Sequence, residues 1–122
     1  MEFQVRRIRA DEGPAMRATR LRALADAPEA FGSEYGETSE RPDSEWVERA
    51  ERASAGGQQA MFVAEVGGEW QAMVLGHAPD GEQVACDLAS MWVAPELRGS
   101  GASRELVEAV LAWAGESGFE RV

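Results

Sequence analysis

The sequence predicts one α/β (α+β) domain in which hairpin-joined strands are combined with amphipathic helices. Three observations carry this reading. The apolar runs Ala60–Val66 and Glu69–His77 are separated only by Gly67-Gly68, a hairpin signal. Stretches beginning at Asp11 and Gly101 set apolar residues at helical spacing. Between them, the segment Met91–Ser103 passes from an apolar strand through a short turn into a glycine-rich loop that opens a helix.

The elements follow in order. Phe3 to Arg9 alternates apolar and polar residues, with Phe3 and Val5 on one face, and reads as a first strand. Asp11 then caps a helix whose apolar stripe is Ala18, Leu21, Leu24 and Ala25; Arg17, Arg20 and Arg22 take more polar positions, and Pro28 ends it. A linking segment with Phe31 and Tyr35 leads to a second helix, Asp43–Arg52, stopped at Gly56-Gly57. The hairpin strands come next, then a turn at Asp80-Gly81 and a fourth strand from Gln83 to Val93. The last helix runs from Gly101 to about Ser117, with Ala102, Leu106, Ala109, Val110 and Trp113 on one side. Gly118 is its C′ cap, with Phe119 packing back, and Phe119–Val122 begins another strand.

The chain has 122 residues and forms one domain over 1–122. A chain of this size buries roughly two-thirds of its unfolded surface. Its net charge of −10 argues against nucleic acid and anionic membranes as partners, and favours a cationic substrate such as an amine. No apolar run approaches the ~20 residues of a membrane span, and the N-terminus does not read as a signal peptide. A lone Cys86 fits a reducing cytoplasm. All 12 basic residues are arginine, and asparagine is absent too, which points to a GC-rich source genome.

The loop carries most of the chemical information. First-turn N–H groups of a helix lack intrahelical acceptors, and the helix dipole adds positive potential there. Gly99 and Gly101 let the backbone close around a phosphate without Cβ clashes, and Arg98 adds a permanent forked charge. The segment lacks the Lys-Ser/Thr end of a Walker loop and the G-x-G-x-x-G spacing of dinucleotide folds. Metal-ligand spacing and a G-x-S-x-G nucleophile elbow are also absent from the sequence. His77, before the Pro79-Asp80-Gly81 turn, and Cys86 read as structural residues.

Arg98-x-x-Gly101-x-Ser103 resembles the Arg/Gln-x-x-Gly-x-Gly/Ala signature of the GNAT N-acetyltransferase superfamily, and Val93-Ala-Pro-Glu-Leu97 looks like that family's approach to the loop. Ser103 stands where the family usually has Gly or Ala. The order of strand, two helices, three strands and helix extends the resemblance over essentially the whole chain. It implies the acyl-CoA N-acyltransferase fold, a mixed, mainly antiparallel sheet flanked by helices, here with the C-terminal strands and helix missing. The open sheet edge at residues 119–122 then predicts self-association, as a homodimer or another self-assembly.

The resemblance further implies acetyl-coenzyme A as co-substrate, no metal, and a primary amine of a small molecule or protein as acceptor. Attack would be direct, in a ternary complex. Met91, Trp92 and Val93, which also read as sheet core, would contact the pantetheine arm and thioester through their backbone. Arg98, Gly99, Ser100, Gly101, Ala102 and Ser103 would hold the pyrophosphate. Asp87 occupies the place of the family's glutamate base; it alternates with Ala85 and Ala89, so a partly enclosed carboxyl is expected. Phe31 and Tyr35 would wall the acceptor site, with Glu34 or Glu37 attracting its ammonium. The tyrosine with which the family often protonates the leaving thiolate lies in a helix that this sequence lacks. The alternative is a non-catalytic acyl-CoA-binding or scaffold module acting through a partner chain.

Overall fold

Gly67 and Gly68 adopt φ of 57° and 86°, the left-handed pair that a two-residue hairpin turn requires, and join β2 (Gln59–Val66) to β3 (Glu69–His77). The structure, a computed structural model of the chain, describes residues 2–26, 35–77 and 87–118. β1 (Gln4–Arg7) pairs antiparallel with β2, and β4 (Asp87–Val93) pairs antiparallel with β3. The sheet order is β1-β2-β3-β4, so among the described residues β4 forms an edge. Helices α1 (Gly13–Asp26), α2 (Tyr35–Ser39) and α3 (Asp43–Ser54) lie between β1 and β2 in the chain. A 3-10 turn at Pro95–Leu97 leads from β4 to α4 (Ala102–Glu116).

Strand alternation divides the apolar residues between two cores. Met61, Val63 and Met73 face α1 and α3, where they meet Met16, Leu24 and Trp46. Ala60, Ala64, Ala72 and Val74 face α4 and meet Leu106, Val110 and Trp113. The small residues on the second face let α4 lie close to the sheet. Closest is Gly76, where an added Cβ would stand 2.9 Å from Val110 Cγ1 and 3.0 Å from Trp113 Cζ3. Gly76→Ala is therefore expected to overpack this layer and cost about 1–3 kcal/mol, read as a lower urea midpoint at unchanged slope.

Arginines fasten the elements together. Arg6 donates from Nη1 and Nη2 to Glu12, at 2.8 and 2.7 Å, and from Nε and Nη2 to Glu65, at 2.8 and 3.1 Å. These bonds hold both glutamates below their ordinary pKa and raise that of Arg6. Arg7 donates to the carbonyls of Ala53, Gly56 and Gln59, closing the end of α3 onto the sheet, and its guanidinium lies over the Trp113 ring.

Several expectations change in detail. Helix α1 begins at Gly13, and the residue bonded at its entrance is Glu12, which accepts from the Arg9 N–H at 2.8 Å, rather than Asp11. Its buried stripe is Met16, Thr19, Leu21, Ala23 and Leu24, whereas Ala18 and Ala25 are exposed. Arg20, expected at a polar position, is half-buried because it falls one turn after Met16 on the inward side. Tyr35–Ser39, expected within a linker, forms a turn of helix with Thr38 buried. Gly118, at φ 88°, donates to Gly115 O as the expected helix stop. Pro28, Phe31, Glu34, Asp80-Gly81, Cys86 and the strand start at Phe119–Val122 lie outside the described residues.

Candidate functional site

The loop from Leu97 to Ala102 has the backbone its glycines suggest. Gly99 and Gly101 lie at φ 81° and 92°, and nothing comes within 4 Å of a Cβ built on either, so both faces are open. The Ser100 hydroxyl donates to Leu97 O and accepts from the Ala102 N–H at 3.3 Å, holding the loop against the helix start. Among the described residues, no acceptor is assigned to the N–H groups of Gly99, Gly101, Ser103 and Arg104. Exposed donors of this kind at the positive end of a helix are groups that can meet an anion.

Arg98 belongs to this loop in a way its sequence position does not disclose. Its Nε donates to Val93 O at 2.9 Å and its Nη2 to Asp26 at the end of α1. The Trp92 indole donates to the same Asp26 oxygen at 2.9 Å. The Trp92 bond and then the Arg98 bond hold the Asp26 carboxyl below its ordinary range. Arg98 thus ties β4, the loop and α1 together, while the open N–H groups of the loop face outward.

β4 is distorted beside the loop. Met73 lies opposite Trp92, but Leu75 lies opposite Ala89, so two residues along β3 match three along β4. The extra residue is a bulge at Ser90–Met91, and Ser90 has φ 55°, the one positive value outside glycine among the described residues. Because of it, Trp92 points into the core under α1 and α3, while Met91 and Val93 pack towards α4. Ser90 accepts a hydrogen bond from Arg20 Nη1 at 2.7 Å. Among the described residues no strand pairs with the outer side of β4, and a bulge there leaves main-chain groups for a ligand to meet.

Asp87 opens β4 opposite His77, on the α1/α3 side of the sheet. The carboxyl is exposed rather than partly enclosed: Leu88 is exposed too, and Ala89 only half-buried. Phe31 lies outside the described residues, as does the side chain of Tyr35, which begins α2; Glu37 on α2 is exposed. Among the described residues no cluster of His, Cys, Asp and Glu suits a metal ion, and no helix is long and apolar enough to cross a membrane.

On the same side of the sheet a cleft of about 290 Å³ runs between α1, α3 and the strands. Met16, Met61, Met73 and Leu75 line its floor, Trp46 and Ala53 one wall, and Arg20, Arg49, Arg52, Gln59 and Ser90 its polar parts. The sequence reading did not single out the three arginines. One signal was available: Met16, Thr19, Arg20, Ala23 and Leu24 share one helical stripe, and an arginine in an inward stripe marks a polar cavity.

An antiparallel sheet flanked by helices, with a bulged strand feeding a glycine-rich helix start, is the acyl-CoA N-acyltransferase fold. Residues 21–122 match the model of the acetyltransferase (GNAT) family, and the chain belongs to that family. Its structure resembles a GNAT-family acetyltransferase from Streptococcus pneumoniae with a TM-score of 0.77 and 18% identity, over 97% of this chain and 70% of that one. It also resembles an acetyltransferase from Clostridium acetobutylicum crystallised with acetyl-CoA, with a TM-score of 0.73 and 15% identity, over 98% and 78% of the two chains. Glucosamine-6-phosphate N-acetyltransferase from Arabidopsis thaliana gives a TM-score of 0.70 and 19% identity, over 100% and 80%. At these identities the likeness is one of fold. No curated protein matches the chain.

Proposed function

We propose that the chain moves an acetyl group from acetyl-coenzyme A to a primary amine of a small molecule or protein, by direct attack in a ternary complex. One observation carries the reading: the open N–H groups of Gly99, Gly101, Ser103 and Arg104 stand beside the bulged edge of β4. Acetyl-coenzyme A supplies the activated acetyl thioester. Gly99 to Ser103 hold the pyrophosphate through their backbone, and Ala102 starts the helix whose dipole favours that charge. Met91, Trp92 and Val93 offer main-chain groups along the edge after the bulge. Arg98 acts as a positioning residue, through Val93 and Asp26.

Asp87 accepts the amine proton in this scheme, and its exposure gives that proton a direct way to solvent. Asp87→Ala is expected to lower turnover by about 10²–10⁴-fold while leaving coenzyme A affinity unchanged. Unchanged turnover removes Asp87 from the scheme.

The test of the whole reading is calorimetric titration with acetyl-coenzyme A, coenzyme A and ATP. Saturable binding of both coenzyme A forms but not ATP supports it, and a folded chain that binds neither overturns it. Binding with no acetyl transfer to any amine would mark a non-catalytic acyl-CoA-binding module.

A further inference from the structure

Among the described residues the charged side chains lining the cleft are opposite in sign to the chain as a whole. The net charge of −10 suggests a cationic acceptor, yet among the described residues the cleft lining holds three arginines and no carboxylate. Arg20 comes from α1, while Arg49 and Arg52 sit three apart on α3 and so share one helix face. Burial and the neighbouring Arg49 and Arg41 charges all depress the Arg20 pKa, so this is a place where cations crowd. Glu45 pairs with Arg49 at 3.2 Å and with Arg41, but it is not part of the lining.

A second observation lies in the cleft wall. The Trp46 ring is 2% exposed, and its indole N–H has no hydrogen-bond partner among the described residues. A buried donor left unmatched carries a desolvation penalty that an acceptor would remove, and Trp46 borders both this cleft and the hollow lined by Pro14, Arg17, Asp43 and Val47. Arginine forks recognise carboxylate and phosphate through paired hydrogen bonds, and the methionine-rich floor suits a short apolar body. The cleft also reaches the bulge through the Arg20–Ser90 bond, and it shares a sheet face with Asp87.

From this juxtaposition we propose that the cleft receives an oxyanion carried by the acceptor, so that the acceptors are small amines bearing a carboxylate or a phosphate. The assignment rests on the acetyl-transfer reading only in calling the bound molecule the acceptor. Arg20 acts near the reacting strand, and Arg49 and Arg52 hold the anion further out. Polycationic amines are disfavoured by like charge, whatever the acidity of the remaining surface.

The probes are two matched pairs, followed by tryptophan fluorescence on the full chain: N-acetylleucine against N-acetylleucinamide, and glucosamine 6-phosphate against glucosamine. The anionic member of at least one pair is expected to bind ten-fold or more tightly than its partner, and the pair that discriminates tells carboxylate from phosphate. Arg52 is exposed, so Arg52→Glu preserves the fold; it is expected to cost ten-fold or more in that affinity, with Arg52→Lys retaining most of it. Equal affinities within both pairs, no binding by any probe, or full affinity in Arg52→Glu each overturn the assignment. Titration with acetyl-coenzyme A separates the two readings. Cofactor binding without anion preference sinks the cleft assignment alone, and anion preference without cofactor binding sinks the transferase reading alone.

Discussion

Arg6→Met is expected to cost about 3 kcal/mol of folding stability, the low end of the range for removing one partner from a buried ion network. The side chains of Arg6, Glu12 and Glu65 are only 16%, 12% and 21% exposed, so this is not a screened surface pair. Arg6 donates to both oxygens of each glutamate, and methionine would leave Glu65 without its partner and Glu12 with only the more exposed Arg9, at 3.4 Å. Urea denaturation at pH 7 reads the loss. In a Glu12→Gln, Glu65→Gln background the same substitution should cost markedly less, because no stranded charge remains.

The network also sets an acid limit. Both glutamates titrate lower when folded than when unfolded, so their contribution is complete at neutral pH. It is lost as pH falls from the ordinary glutamate value of about 4.3 through their depressed folded values. Arg6→Met should flatten that part of the stability profile, and an unchanged acid limb would show that the stabilisation lies elsewhere.

Gly101→Val is expected to weaken coenzyme A binding by about 10- to 100-fold with little change in overall stability. The position lies at φ 92°, where a β-branched residue is strained by about 1–3 kcal/mol. Each 1.4 kcal/mol is about a factor of ten in affinity if binding must impose the conformation. Open space around the glycine removes steric clash as an explanation, which leaves the direction of the N–H groups as the variable. Arg98→Gln should cost less than Gly101→Val, since the Arg98 guanidinium is already engaged by Val93 O and Asp26. The reverse order in calorimetry would mean that Arg98, not the backbone, carries the phosphate.

What could be read beforehand was local. Gly67-Gly68, the alternation of β2 and β3 and the Gly99–Gly101 loop each express a constraint within a few neighbouring residues, and the structure reproduces them. The α2 turn escaped notice because Tyr35–Ser39 is too short to show a helical period. The Ser90 bulge was not legible, since register is a property of two strands and no single one encodes it. The cleft was invisible for the same reason. Its polar lining is assembled from Arg20, Arg49 and Ser90, far apart in the chain, and becomes a site only once α1, α3 and β4 share one face. The enclosure expected for Asp87 treated alternation as burial, but alternation places a residue on a face without covering it.

The bulge makes β4 a strand with two phases. Counting outward from the hairpin, Ala89 and Trp92 are three apart and yet pair with Leu75 and Met73 on the same side of the sheet, which simple alternation forbids. Losing one residue at position 90 would match two residues of β4 to two of β3 and restore plain alternation. Asp87 would stay on the cleft side and Trp92 beneath α1, but the strand would lose the turned main chain that Ser90 holds at φ 55° beside Arg20. The inserted residue therefore shapes the main chain rather than the facing of β4: its loss leaves both ends on their faces, whereas losing Leu88 would turn Asp87 to the α4 side.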